Sequence, residues 1–162
     1  MVSPLIKLNN VSDETAAQHL ARSLTTVTGL EIRKIADAFL AARKRFHQAR
    51  MAWQDTGRRL LSGSEKEKRL KIMLLGRPYA LFDARINLGV PEKLEGMGFD
   101  LVSQSMVGAD MVPQESMAGP METMHWYFGQ QILNAARLAA RSPDVYPVFL
   151  TCFRCSPDAY LI

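Results

Sequence analysis

The residues able to do chemistry are few, and they cluster. The two cysteines, Cys152 and Cys155, stand in Thr151-Cys152-Phe153-Arg154-Cys155-Ser156-Pro157-Asp158, directly after an apolar run that reads as a strand. A thiol at the carboxyl end of a buried strand can be a redox nucleophile, a metal ligand or a small hydrophobe. Two cysteines cannot build a secreted disulfide framework. A closed structural zinc site needs about four nitrogen or sulfur ligands, of which one Cys-x-x-Cys supplies half. His125 is a candidate third ligand, although a lone histidine beside a helix stripe is more simply a hydrogen-bonded core or surface residue. A thioredoxin-like pair opens a helix in its first βα unit, whereas this pair ends a third strand and precedes Pro157. Thiolate ligation of an iron–sulfur cluster suits the residue type, but a partner chain, a second copy or further sequence would have to complete the set.

A second group follows another apolar run. Gly76-Arg77-Pro78-Tyr79 leads to Asp83 and then to Asn87-Leu88-Gly89-Val90-Pro91. Glycine permits an abrupt exit from a strand, proline stiffens the loop, and Arg77 offers a bidentate fork to a carboxylate or phosphate. The competing structural reading is that Arg77 pairs with Asp83 to shape the loop. Backbone N–H groups at the helix start near Pro91 could add anion affinity. The chain has no Gly-x-Gly-x-x-Gly and no phosphate-loop lysine motif, so nucleotide sites of those two kinds are not expected. Without a Ser-His-Asp set, a paired-carboxylate site or a complete metal site, independent catalysis is not expected.

These residues need elements to hold them. At 162 residues, 48% hydrophobic and 22% charged, the composition fits one ordinary globular domain and argues against disorder or a coiled-coil-only chain. No run reaches the roughly 18 apolar residues of a membrane span, and the N-terminus lacks the pattern of a secretory leader, so a cytoplasmic protein is expected. The net charge of +4 is uneven: from Glu31 to Lys71 there are twelve Lys or Arg against five Asp or Glu. Within that segment Ile32, Phe39, Phe46, Trp53 and Leu60 recur every seventh position, with Ile35, Ala42, Ala49 and Thr56 as a mostly small second row. This spacing predicts a long helix from about Leu30 to Leu61. Arg43, Lys44, Arg45, Arg50, Arg58 and Arg59 then fall mostly on its other faces as a solvated basic surface. No nucleic-acid motif or aromatic platform accompanies them, so nucleic acid is not expected as a partner.

A shorter helix is expected before it, opened by a cap at Ser12 and ended near Thr28-Gly29. SGSEKEKR at 62–69 reads as a polar hinge, so the division is into a helical region, 1–62, and a parallel α/β unit, 70–162. In the second part Leu70–Gly76, Phe99–Ser103 and Val145–Thr151 are the expected strands. Helices are expected at Pro91–Met97 and Met121–Arg141, with a loop from Val107 to Pro120. The fold class is therefore α/β: a helical N-terminal part followed by a small three-stranded parallel, Rossmann-like βαβαβ unit.

Several blocks taken together resemble a known family. Leu75-Gly76-Arg77-Pro78-Tyr79, Asp83, Asn87–Pro91, Met124-His125-Trp126-Tyr127-Phe128-Gly129-Gln130, and Tyr146 through Phe153, Cys155, Pro157 and Asp158 are similar to the domain of large proteins related to the activator of 2-hydroxyacyl-CoA dehydratases. The resemblance implies an iron–sulfur, electron-transfer module. It would work with an ATP-dependent activase that feeds a CoA-thioester dehydratase or reductase. Cys155 would be the inherited cluster ligand, Cys152 an assisting one, and Arg77, Tyr79, Asp83 and Asn87 would shape the adjoining cofactor-binding loop. Arg154 and Ser156 replace two glycines of the family pattern and add bulk and charge beside Cys155. The family proteins are longer, which implies a fragment or split gene product whose site is completed elsewhere, by a partner or in a homo-oligomer. The alternative from another class is a non-catalytic α/β interaction domain without a cluster, whose basic helix docks an acidic partner.

Overall fold

A computed structural model of the chain describes residues 11–63, 69–112 and 124–151. It divides into two units, Met1–Met51 and Ala52–Ile162, each with its own core.

In the first unit, α1 (Asp13–Thr28) begins where the sequence places its cap. The Ser12 hydroxyl accepts from the Thr15 backbone N–H at 3.2 Å, and Asp13 and Glu14 lie in the first turn, where the helix dipole favours negative charge. Gly29 ends the helix in the left-handed region, φ 68°, and its N–H returns to the Thr25 carbonyl. The chain then re-enters helix as α2 (Ile32–Leu61). The core of this unit is built from small residues: Ala17, Ala21, Ile35 and Ala36 are buried, with Leu24, Phe39 and Leu40 packed against them. Arg43 is only half-buried and its Nε donates to Asp13 at 2.9 Å, so this residue leaves the solvated basic surface expected of it.

The second unit is the three-stranded parallel sheet that the sequence predicts, and its strand order is β2-β1-β3. It comprises β1 (Lys71–Gly76), α3 (Pro78–Phe82), α4 (Val90–Gly96), β2 (Asp100–Ser103), 3₁₀ turns at Gln104–Met106 and Ala109–Met111, α5 (Tyr127–Ala140) and β3 (Val145–Leu150). Every residue of β1 is buried, the signature of a central parallel strand covered on both faces. Met73 and Leu75 face one way, into a core with Val102, Ile132, Ala135, Ala139 and Val145. Ile72 and Leu74 face the other way, against Leu81, with Leu94, Leu101 and Val148 beside them. Pro147, paired opposite Met73, has no N–H to give, which is tolerated because β3 is an edge strand among the described residues.

The helix expected from Met121 begins later, at Tyr127, while Met124 to Trp126 are irregular and residues 121–123 lie outside the described set. The reason is local. Met124 is buried across the first turn of α5, its carbonyl accepts from Gln130 Nε2 at 2.7 Å, and the nearest atom to a side chain at Gly129 would be the Met124 sulfur. Methionine there behaves as a lid on a glycine rather than as a member of the helix stripe. The sequence also gives no hint of α3, five residues long, or of the 3₁₀ turns.

Within this unit the last turns of α2 lie on the chain that leaves β2. Trp53 Nε1 donates to Ser105 Oγ at 3.0 Å, and Arg58 binds Asp110 through Nε at 3.0 Å and Nη2 at 3.2 Å, while also contacting Asp55. The guanidinium holds the Asp110 carboxyl below its ordinary range, chiefly through those hydrogen bonds. Gly57 makes the approach possible, since a Cβ there would stand 2.7 Å from Met106 Cβ.

Two expected outcomes follow from this packing. Gly57→Ala gains about 1 kcal/mol in helix propensity, but overpacking against a backbone neighbour costs about 1–3 kcal/mol. The variant should therefore melt below the parent in a thermal scan, and a higher melting temperature would show the contact to be slack. The second outcome concerns Lys71, buried at the start of β1, whose ammonium contacts the half-exposed Asp144 carboxylate. The Lys71 hydrogen bond above all holds the Asp144 carboxyl below its ordinary range. A depressed folded value means that its stabilisation is complete above the unfolded carboxyl pKa of about 3.9 and fades as pH falls through the folded value. Solvent screening limits the pair to about 1 kcal/mol. Asp144→Asn should therefore be less stable than the parent at pH 7, and denaturant titrations should show that gap closing below about pH 4.

Candidate functional site

The direction of the chain reverses at β1. After β1 it crosses by α4 to β2 on one side, and after β2 it crosses by α5 to β3 on the other, with the two helices on opposite faces. The connections that follow β1 and β2 therefore run to opposite faces of the sheet. In open parallel sheets that divergence is where ligands bind. The candidate site is built from Gly76, Arg77 and the chain entering α5, beside the end of β3.

Gly76 is fixed from three directions. It pairs with Leu150 in the β1–β3 register, its N–H donates to the buried Gln104 Oε1 at 2.8 Å, and its φ of +149° suits glycine alone. A Cβ at this position would collide with the Leu150 carbonyl oxygen and come within 3.3 Å of Leu81 Cδ2. The two strand ends are thus held backbone against backbone. Gln104 is only 2% exposed and its role is to bridge the exits of β1 and β2. Sequence reading missed it, and the available signal was a long polar residue immediately after the expected strand Phe99–Ser103.

Arg77 stands at the N-cap of α3 in extended conformation, its side chain half-buried. The guanidinium lies over the Trp126 ring, 4.9 Å from the centroid. Trp126 is the N-cap of α5, so this contact links the exit of β1 to the entry of α5. It is a second contact that the sequence did not announce, although Trp126 lies within the resembling block at 124–130.

The remaining predicted residues are placed as follows. Tyr79 is exposed on α3. The Asp83 carboxylate accepts from the Arg85 N–H at 2.9 Å, and the Asp83 carbonyl accepts from the N–H groups of Ile86 and Asn87 at 3.0 Å each. Asn87 is 8% exposed, donates through Nδ2 to the Leu81 carbonyl at 3.1 Å and accepts at Oδ1 from the Gly89 N–H at 2.9 Å. Both ends of its amide are therefore used inside the loop, and that bracing carries Leu88 into positive φ, 56°. Asp83 and Asn87 shape the loop, and Arg77 is the member of the set with a charged group beside the strand ends. Its guanidinium is a fork suited to an anion, already oriented by an aromatic face.

Cys152 and Cys155 lie outside the described residues, as do the alternative positions around them. Among the described residues no three of His, Cys, Asp or Glu come together as a metal site, and His125 is exposed. No described helix is long and apolar enough to cross a membrane.

No curated protein and no solved structure shows significant similarity to the chain. Residues 1–107, more than half of the length, match a family described as the CoA enzyme activase uncharacterised domain (DUF2229). That stretch takes in α1, α2, β1, the Asn87-braced loop, β2 and the Gln104 turn, so the family pattern contains most of the strand-end construction described above. The chain belongs to the CoA enzyme activase uncharacterised domain family.

Proposed function

We propose that the protein is an electron-transfer module of a CoA-enzyme activase system. It carries an iron–sulfur cluster through Cys155, with Cys152 assisting, beside the carboxyl ends of β1 and β3. The observation that carries this reading is the fixed junction of those two ends. Gly76 and Leu150 are locked together, and Cys152 and Cys155 follow β3 by two and five positions in the sequence. Binding residues that follow the carboxyl end of a parallel strand are positioned by the sheet behind them. Membership of the activase family supports the same direction.

The donor set fits in part. Two thiolates are half of the usual four, so the remaining ligands come from a second copy, a partner or further sequence. When bound, such a cluster supplies one-electron transfer at low potential. What the chain itself contributes is position and charge: Arg77, oriented by Trp126, adds a cation near the strand ends and favours the more reduced, more negative state of a nearby group. The partners of this reading are an ATP-dependent activase and a CoA-thioester dehydratase or reductase that receives the electrons.

Anaerobic reconstitution of the protein with ferrous iron and sulfide is the test. The expected result is a brown product whose visible charge-transfer absorption and bound iron are lost in Cys155→Ala and reduced in Cys152→Ala. A colourless product, alone and in the presence of the activase, would overturn the proposal.

A further inference from the structure

The sequence seam of α2 predicts a continuous apolar contact, yet Phe46 in its middle is 56% exposed. Ala42, one turn before it, and Ala49, one turn after it, are exposed as well. Up to residue 51 all of this lies in the first unit, whose core uses Ile35, Ala36 and Phe39 and stops short of Phe46. The ring is held in place: Arg43, itself anchored on Asp13, has its guanidinium 5.9 Å from the ring centroid, and His47 meets the ring edge-on. An aromatic ring standing between two alanines forms a knob with a shallow seat on each side, the relief that a second helix needs for close approach.

Charge decides what could lie there. From Ala38 to Gln54 there are four Lys or Arg and no Asp or Glu. Arg43 is paired, but Lys44, Arg45 and Arg50 are exposed and make no ion pair among the described residues. Elsewhere on α2, Arg33 lies near Asp37 and Arg58 contacts Asp55 and Asp110, while Lys34 and Arg59 are the other cations without an ion pair among the described residues. The unneutralised charge is therefore concentrated around the uncovered ring. A second copy laid along this face would bring like charges together, which is destabilising. A membrane surface would match the charge, but it requires a broad apolar face, and from Ala42 to Arg50 Phe46 is the one large apolar side chain, set between alanines.

We infer that the Phe46 face of α2, from Ala42 to Arg50, docks an acidic amphipathic helix of a protein partner. Apolar residues of that helix pack around Phe46 and its carboxylates pair with Arg45, Arg50 and Lys44. The inference goes beyond the cluster reading and does not rest on it.

The probe is a synthetic helical peptide with leucines at i, i+3, i+4 and i+7 flanked by glutamates, labelled for fluorescence anisotropy. The protein is used as the Cys152→Ala/Cys155→Ala variant, so the outcome is independent of any cluster. Saturable binding is expected, weakening as salt is raised and falling about tenfold, or about 1.4 kcal/mol, in Phe46→Ala. Alanine at this exposed helical position leaves the fold in place, which circular dichroism checks. Arg45→Glu/Arg50→Glu should lose the glutamate peptide and gain one with lysines in its place. Failure to bind the peptide, or binding indifferent to Phe46→Ala, overturns the inference. So does tighter binding to phosphatidylglycerol vesicles than to the peptide, or a Phe46-dependent dimer in sedimentation.

Discussion

Everything in the second unit depends on β1 being buried on both faces and paired in parallel on both edges. A parallel neighbour cannot be reached by a hairpin, so each pairing requires a crossover, and the crossovers must cover the sheet. Because β2 and β3 lie on opposite sides of β1, the two crossovers take opposite faces. The alternation Ile72, Met73, Leu74, Leu75 is the sequence counterpart of that arrangement: successive residues feed two different cores. The same constraint produces the diverging loops, so the location of the candidate site is a consequence of strand order rather than of any one residue.

The parts of this fold legible in sequence are those where one physical signal acts without competition. The Ser12 cap, the Gly29 stop and the apolar run into Gly76 each report a local requirement, and each element forms where that requirement places it. Periodicity was legible for α2 as a helix, but it could not tell which part of the seam is covered. Ile35 and Phe46 both lie on the two-row seam, yet Ile35 is 9% exposed and Phe46 56%. Helical spacing reports which residues share a face, not how far a neighbouring helix extends along it. The start of α5 failed for a related reason. Met124 is apolar, buried and in phase with the stripe, and only the close packing over Gly129 and the bond from Gln130 show that it belongs to the approach.

The candidate site was legible by residue type and much less by role. Arg77, Tyr79, Asp83 and Asn87 read alike as polar or aromatic groups in a strand-end loop. In the structure they separate by what saturates them: Asn87 spends both ends of its amide on backbone, Asp83 anchors a turn, and Arg77 rests on an aromatic ring. The contacts that separate them come from positions 104 and 126, and pairings over such separations leave no mark in local pattern.

The two ends of the sheet are also held by different physics, and the difference bears on function. At the amino ends the strands are joined by charge: Lys71 with Asp144, and Arg69 with Asp100 at 3.6 Å. At the carboxyl ends neutral groups also join the chain: Gly76 with Gln104, and Ser103 with Ser105, whose hydroxyl also receives the Trp53 indole N–H. Ion pairs at the carboxyl ends would fix a strong local field and compete with any charged ligand, whereas satisfied neutral groups fix geometry without setting a field. Beside these neutral contacts stands the Arg77 guanidinium. Its cation–π contact with Trp126 orients the group. A negatively charged group arriving between the ends of β1 and β3 would therefore meet a preformed junction and an oriented cation.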